Sequence, residues 1–234
     1  MSNKKIFFDA GPIISMTTNN LNAVLASLKE EFSGEFYITP AVYYELVEKP
    51  LTTKKFKFEA IQVRNMIDKG IIKIYQNEKL REFADSLIKL ANSSFFIHGN
   101  PLTIVHYAEM ETIAAAVLEK THNVSIDERT MRELVENPAR LEKILHGKFH
   151  ERVTMNRKKL KQFKSIVGKI NIIRSTELLS VAYEKGLLNK YLTKGIDSEK
   201  TLITAILWSL KLHGCAISDV EIKQLTDIAL KNKN

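Results

Sequence analysis

Short runs of consecutive apolar residues alternate along this chain with longer stretches whose apolar positions recur every three or four residues. The first pattern marks a strand buried on both faces, the second a helix with one buried face. Lys4 to Asp9 opens the chain as a strand through Ile6-Phe7-Phe8, and Gly11-Pro12 after it favours a turn into a helix with proline near its first turn. Glu35–Thr39, Ile71–Tyr75, Asn123–Ile126 and Lys169–Arg174 read as four further strands. Helical spacing covers Asn19–Phe32, Phe56–Lys69 with Gly70 as its stop, Glu78–Ala91, Thr103–Lys120 and Arg129–Glu136. Pro40 opens a helix that runs through Glu48 and is expected to stop at Pro50, and Gly186 closes another over Thr176–Lys185. The last two helices are Ser198–Leu212 and Ser218–Leu230, the second announced by a capping box of Ser218 with Glu221. Asn92 to Pro101 reads as a loop holding an apolar patch, Phe95-Phe96-Ile97.

Strands that alternate with helices predict an α/β fold: three layers, α/β/α, around a central, mostly parallel sheet of five strands. In such sheets ligands bind beyond the carboxyl ends of the strands. Two of the five predicted strands run into an aspartate there, Asp9 and Asp127.

Charge alters this picture in one place. The chain carries a net +8, yet Arg140 to Lys169 holds ten Lys or Arg against two acids, so the whole excess lies in that segment and the remainder is neutral. A confined basic block of this kind points to a polyanion partner, with Lys148, Arg152, Arg157, Lys158, Lys159, Lys161 and Lys164 as candidate phosphate contacts. Phe149 and Phe163 could stack on bases, although an apolar seam that docks a helix accounts for them as well. The single cysteine, Cys215, excludes an internal disulfide framework and a cysteine-rich zinc module. No secretory signal or membrane-spanning stretch is visible, and a soluble, cytoplasmic protein is expected.

The acids suggest the chemistry. Asp9 and Asp127 follow apolar runs, Glu111 lies in the apolar helix just before Ile113-Ala114-Ala115, and Glu45 lies one turn into the helix after the second strand. Were the four to converge they would repel: two unit charges about 4 Å apart cost about 4 kcal/mol at an effective dielectric near 20. A hard divalent cation relieves that strain and prefers oxygen ligands. Taken one at a time, each acid could equally be a helix cap or an ordinary surface group.

Phe7-Phe8-Asp9-Ala10-Gly11-Pro12-Ile13-Ile14, Pro40-Ala41-Val42-Tyr43-Tyr44-Glu45, Tyr107-Ala108-Glu109-Met110-Glu111-Thr112-Ile113-Ala114-Ala115, Val124-Ser125-Ile126-Asp127-Glu128 and Ile172-Ile173-Arg174-Ser175-Thr176-Glu177 follow one another in an order that resembles the PIN-domain family, closest to its archaeal members. The resemblance implies a PIN-like domain over residues 1–188, with a basic helical insertion at about 140–168, and a C-terminal helical extension over 189–234 packed on it. It implies a metal-dependent endoribonuclease with Mg²⁺ or Mn²⁺ on Asp9, Glu45, Glu111 and Asp127, which serve as both metal ligands and catalytic residues, and a hydroxyl from Ser175 or Thr176 near the site. RNA is the implied partner and no membrane is; a homodimer is left open. Tyr107-Ala108 and Arg174-Ser175 depart from the family's usual glycines, and the chain exceeds the family's compact form. A toxin paired with a small antitoxin protein is therefore less favoured than an RNA-processing or decay nuclease. A PIN-like module that binds RNA without cutting it is the remaining alternative.

Overall fold

The computed structural model describes residues 4–194 and 198–233. In chain order the elements are β1 (Lys5–Phe8), α1 (Ala10–Thr18), α2 (Asn22–Phe32), β2 (Glu35–Ile38), α3 (Pro40–Tyr43), a π-helical turn (Tyr44–Glu48), α4 (Lys49–Leu51), α5 (Lys57–Asp68), β3 (Lys73–Ile74), α6 (Leu80–Ala91), β4 (Phe95–Ile97) and β5 (Asn100–Pro101). They continue with α7 (Tyr107–Leu118), β6 (Asn123–Ser125), α8 (Arg129–Glu136), α9 (Pro138–Phe149), β7 (Val153–Met155), α10 (Arg157–Val167), β8 (Asn171–Ile173), α11 (Ser175–Glu184), a 3-10 turn (Asn189–Tyr191), α12 (Ser198–Leu212) and α13 (Asp219–Lys233).

Five strands pair in the order β3-β2-β1-β6-β8, and every pairing is parallel. Side chains in a strand alternate between faces, and each face here meets helices, so apolar residues such as Ile6, Phe7, Phe8, Phe36, Ile38 and Val124 are buried on both sides. On β1, Ile6 and Phe8 enter the core formed with α1, α2, α5, α11, α12 and α13, while Phe7 enters the opposite core formed with α6 to α10. The result is the three-layer α/β/α arrangement that the alternating pattern predicts. Helices α12 and α13, from the C-terminal extension, bury Ile203, Leu207, Leu210 and Ile222 in the first of these cores. No helix among the described residues is long and apolar enough to cross a membrane.

The chain moves outward from β1 through β2 to β3, then returns to lay β6 and β8 on the other side of β1. The order therefore reverses between β1 and β6, the place where open parallel sheets leave a crevice at their carboxyl ends. Asp9 follows β1 directly and its backbone N–H donates to the Ser125 carbonyl at 2.9 Å, which locks the ends of the two strands together.

Three expectations change. Pro50 does not stop the helix that Pro40 opens, which continues through the π-helical turn to Leu51. In that turn the Lys49 N–H reaches back five residues to the Tyr44 carbonyl, and this wider register accommodates a proline that has no N–H to give. Asn92 to Pro101 is not a loop, because Phe95–Ile97 pairs with Asn100–Pro101 and with Val153–Met155 in a small antiparallel sheet. The basic insertion is accordingly not wholly helical: β7 interrupts it between α9 and α10. Each of these strands has three residues or fewer, too short to display a period, and each exists because a segment distant in sequence supplies its partner.

The basic helix α10 docks through Leu160, Phe163 and Val167, a buried stripe at helical spacing. Phe163 is fully buried, whereas Phe149, the last residue of α9, is exposed. Phe163→Ala is expected to cost about 3–5 kcal/mol in urea unfolding, while Phe149→Ala should change stability by less than about 0.5 kcal/mol. Equal effects of the two changes would contradict this packing.

Candidate functional site

Asp9 leaves β1 and caps α1, its carboxylate accepting from the Gly11 N–H at 3.4 Å. A short polar residue at this junction is what the first helical turn requires, since its N–H groups have no partner within the helix. Gly11 stands between the two aspartates: a Cβ there would sit 3.5 Å from Asp127 Cβ and 3.6 Å from Asp9 Oδ2. Asp127 follows β6 and is held more tightly. Its Oδ1 accepts from the Ser175 N–H at 2.7 Å and its Oδ2 from the Ser175 hydroxyl at 2.8 Å, with the Ser15 hydroxyl at 3.4 Å. Its carbonyl accepts from the Ala216 N–H at 3.1 Å, so the loop before α13 is fastened across the site.

Both aspartates line a cavity of about 370 Å³ shared with Ser15, Glu45, His106, Glu109, Glu128 and His213. Asp9 is 7% exposed and Asp127 4%. Burial, reinforced by the charges of Glu109 and Glu45, pushes the Asp9 carboxyl up to about 7 against the pull of the Ala10 and Gly11 N–H groups. Burial, with Glu128 and Glu45 adding to it, pushes Glu109 up to about 7, although its carboxylate accepts from the His106 N–H at 3.1 Å. Asp127 is also raised by burial, opposed by the Ser175 donors. Glu45 sits at the exposed rim, and partial desolvation by the cavity wall raises it, with Lys49 and His106 pulling it back. The Cys215 thiol lies against Asp127, and burial together with that carboxylate pushes it up to about 12. It is a protonated packing group and not a nucleophile.

Of the four acids singled out in the sequence, the fold brings Asp9, Glu45 and Asp127 to one cavity and takes Glu111 elsewhere. Glu111 is buried at 4% exposure, and its Oε2 accepts from the Ala41 N–H at 2.8 Å, capping α3 from a neighbouring helix. Residues two apart on a helix point to nearly opposite sides. With Glu111 turned to α3, Glu109 is the acid that α7 presents to the cavity. Ser175 reaches the site as the hydroxyl and N–H that position Asp127, whereas the buried Thr176 hydroxyl donates to Glu177 at 3.3 Å. Glu109, Glu128, Ser15, His106 and His213 were not singled out. The spacing of His106 with Glu109, an N-cap with an acid three residues on, is the one sequence signal that bears on them.

These donors fit a hard divalent cation in kind: several carboxylates face one another in a partly dry crevice, and burial and mutual repulsion together raise them. They are not drawn together in advance. Among the described residues no three His, Cys, Asp or Glu side chains stand close enough to hold a metal ion as they are oriented. Asp127 is tied to Ser175, Glu109 to the His106 N–H and Glu128 to the Met131 N–H at 2.7 Å, so each rests on its own donor.

The candidate nucleic-acid contacts occupy the insertion. Lys148 lies in the last turn of α9 and Arg152 before β7. Arg157, Lys158, Lys159, Lys161 and Lys164 lie on α10, all exposed except the half-buried Lys159. None of the seven enters an ion pair among the described residues. No family model, curated protein or solved structure matches the chain.

The raised carboxyls have a thermodynamic consequence. In the folded protein Asp9 titrates near 7 against an ordinary value of 3.8. Below about pH 4 both folded and unfolded states hold the proton and the group is neutral to stability. As pH rises towards 7 the unfolded chain releases its proton first, so stability falls, and the penalty is complete above about 7. In protein stripped of divalent ions, Asp9→Asn is expected to raise unfolding free energy by about 2–4 kcal/mol at pH 8 and hardly at all at pH 4. A gain of the same size at both pH values in urea titrations would contradict the assignment. Ser175→Ala removes one donor from buried Asp127 and is expected to destabilise by about 1–3 kcal/mol.

Proposed function

We propose that this chain is a divalent-metal-dependent endoribonuclease, with Asp9, Glu45, Glu109 and Asp127 holding Mg²⁺ or Mn²⁺, and that it acts in RNA processing or decay. The observation that carries the reading is the gathering of carboxylates at the switch point between β1 and β6, where their charges repel and, among the described residues, no basic side chain lines the cavity apart from two histidines. The resemblance to the PIN family leads to the same crevice, with Glu109 in place of Glu111. The unpaired basic surface of α10 and its flanks fits a phosphodiester backbone.

When bound, a divalent ion supplies a water of lowered pKa and neutralises charge on the phosphate. The chain's own residues do the rest. Ser175 fixes the orientation of Asp127 through two donors to its carboxylate, which leaves that group rigid before any ligand arrives. The N-terminus of α1 steadies the ionised form of Asp9. Glu109 is held at the crevice by the His106 N–H, from which its carboxylate accepts at 3.1 Å.

A mixed RNA pool should be cleaved by the purified protein with Mn²⁺. Cleavage should stop with EDTA and fall at least about 100-fold in Asp9→Asn. No cleavage under any divalent ion or salt condition would overturn the nuclease reading. In that case salt-sensitive RNA binding, unchanged by metal, would assign the chain as a binding module. Thermal unfolding separates the two glutamates of α7. At about a hundredfold excess over its dissociation constant Mn²⁺ should add about 2.7 kcal/mol to the wild-type protein and to Glu111→Gln alike. Glu109→Gln should lose most of that gain, and a full gain in Glu109→Gln would remove it from the ligand set.

A further inference from the structure

A second cavity, of about 250 Å³, lies behind the loop that closes the carboxylate crevice. Gly214 of that loop lines the crevice, whereas Ala216, Ile217 and Ser218 line the second cavity. The two are thus separated by a few residues of backbone, pinned to Asp127 through the Ala216 N–H. Opposite this wall stand Arg129, Arg132 and Arg140. Arg129 and Arg132 are three apart on α8 and share a face, and α8 begins directly after Asp127 and Glu128, so the same turn that delivers two acids to one cavity delivers two guanidinium groups to the other.

Few acids offset these charges. Glu133, buried beneath Arg140, pairs with its Nη1 at 3.4 Å. Glu221 lines the cavity, but its carboxylate is engaged by Arg174 Nη1 at 3.0 Å and by the Ser218 N–H and hydroxyl at 2.9 and 2.8 Å. Burial raises it, and those donors outweigh burial and hold it down to about 2, so it faces the cavity as an anion already neutralised by a fourth arginine. Glu136 lies within electrostatic reach of Arg132 without an ion pair among the described residues. Arg129 is exposed and likewise enters no ion pair there. With Arg140 paired to Glu133, Arg129 and Arg132 bring two guanidinium groups that enter no ion pair among the described residues to one small polar cavity, and the planar fork of arginine matches a phosphate through two parallel hydrogen bonds.

We infer that Arg129, Arg132 and Arg140 form a phosphate subsite that holds the backbone phosphodiester adjoining the one at the carboxylate crevice. The inference rests on the nuclease reading for its placement of the scissile group and extends it by naming which residues set the path of the strand. Arg129 and Arg132 lie outside the basic segment and Arg140 opens it, so the subsite adds contacts on α8 that the basic residues of α10 do not supply.

The test uses the full chain and a fluorescently labelled, unstructured RNA oligonucleotide, with binding followed by anisotropy in EDTA so that no turnover is needed. Arg129→Gln is expected to weaken binding about five- to tenfold and to reduce the slope of log K against log salt by about one. Arg129→Gln with Arg132→Gln should reduce the slope by about two. Arg64→Gln, which removes an exposed charge from α5, controls for net charge and should change binding less than about twofold. Arg129 is exposed, so the single variant is expected to fold and keeps the test readable should the double variant not. If Arg129→Gln loses no more affinity than Arg64→Gln, the subsite is overturned. A wild-type protein that binds RNA in this assay but never cleaves it would fail the nuclease reading while leaving the arginine contact measured.

Discussion

Carboxylates held at the carboxyl ends of adjacent parallel strands are the constraint from which the rest of this structure follows. Asp9 and Asp127 lie at the ends of β1 and β6, both nearly buried, and among the described residues the only basic side chains lining their cavity are two histidines. The fold manages the cost with neutral donors: the first turn of α1 for Asp9, and the N–H and hydroxyl of Ser175 for Asp127. Neutral donors lower the penalty of a buried carboxylate without cancelling its charge. The crevice therefore keeps a net negative field, which a salt bridge would have removed. A site that remains strained when empty is one that a cation can relieve.

The helices outside the central sheet differ in their bearing on this crevice. Loop 213–218, between α12 and α13, crosses the end of the sheet, contributes His213 and Gly214 to the cavity and clips to the Asp127 backbone. Its position depends on α12 and α13 being buried in the same core as β1, so the extension is part of the site's wall and not an appendage. The basic segment does not line the crevice. It is anchored through β7 on β4 and through Phe163 in the opposite core, and among the described residues the basic side chains of α10 enter no ion pair. Anchoring and charge are divided along one helix, the apolar stripe fixing it and the basic stripe facing solvent.

What could be read from the sequence and what could not divides along physical lines. The parallel sheet and both strand-terminal aspartates were legible, because a buried strand is an apolar run and an acid at its end interrupts it. Gly70 and Gly186 marked helix ends correctly, each with a positive φ that other residues resist. The choice between Glu109 and Glu111 was not legible. α7 is apolar nearly all round, so no polar face identifies the side that meets the cavity, and the outcome is set by the Ala41 N–H, which needs an acceptor at the start of α3. The small sheet of β4, β5 and β7 was hidden because its pairing depends on a partner distant in sequence. Arg129 and Arg132 lay outside the basic segment and gained a setting only when α8 and the loop before α13 met.

The central claim is that the crevice binds a cation on Asp9, Glu45, Glu109 and Asp127. The most direct measurement is anomalous X-ray diffraction from crystals of the protein soaked in Mn²⁺. The account predicts an anomalous peak inside the crevice, ringed by oxygens of those four residues, with Glu111 still bonded to the Ala41 N–H. A crevice without a peak at saturating Mn²⁺, or a peak coordinated by Glu111, would contradict it.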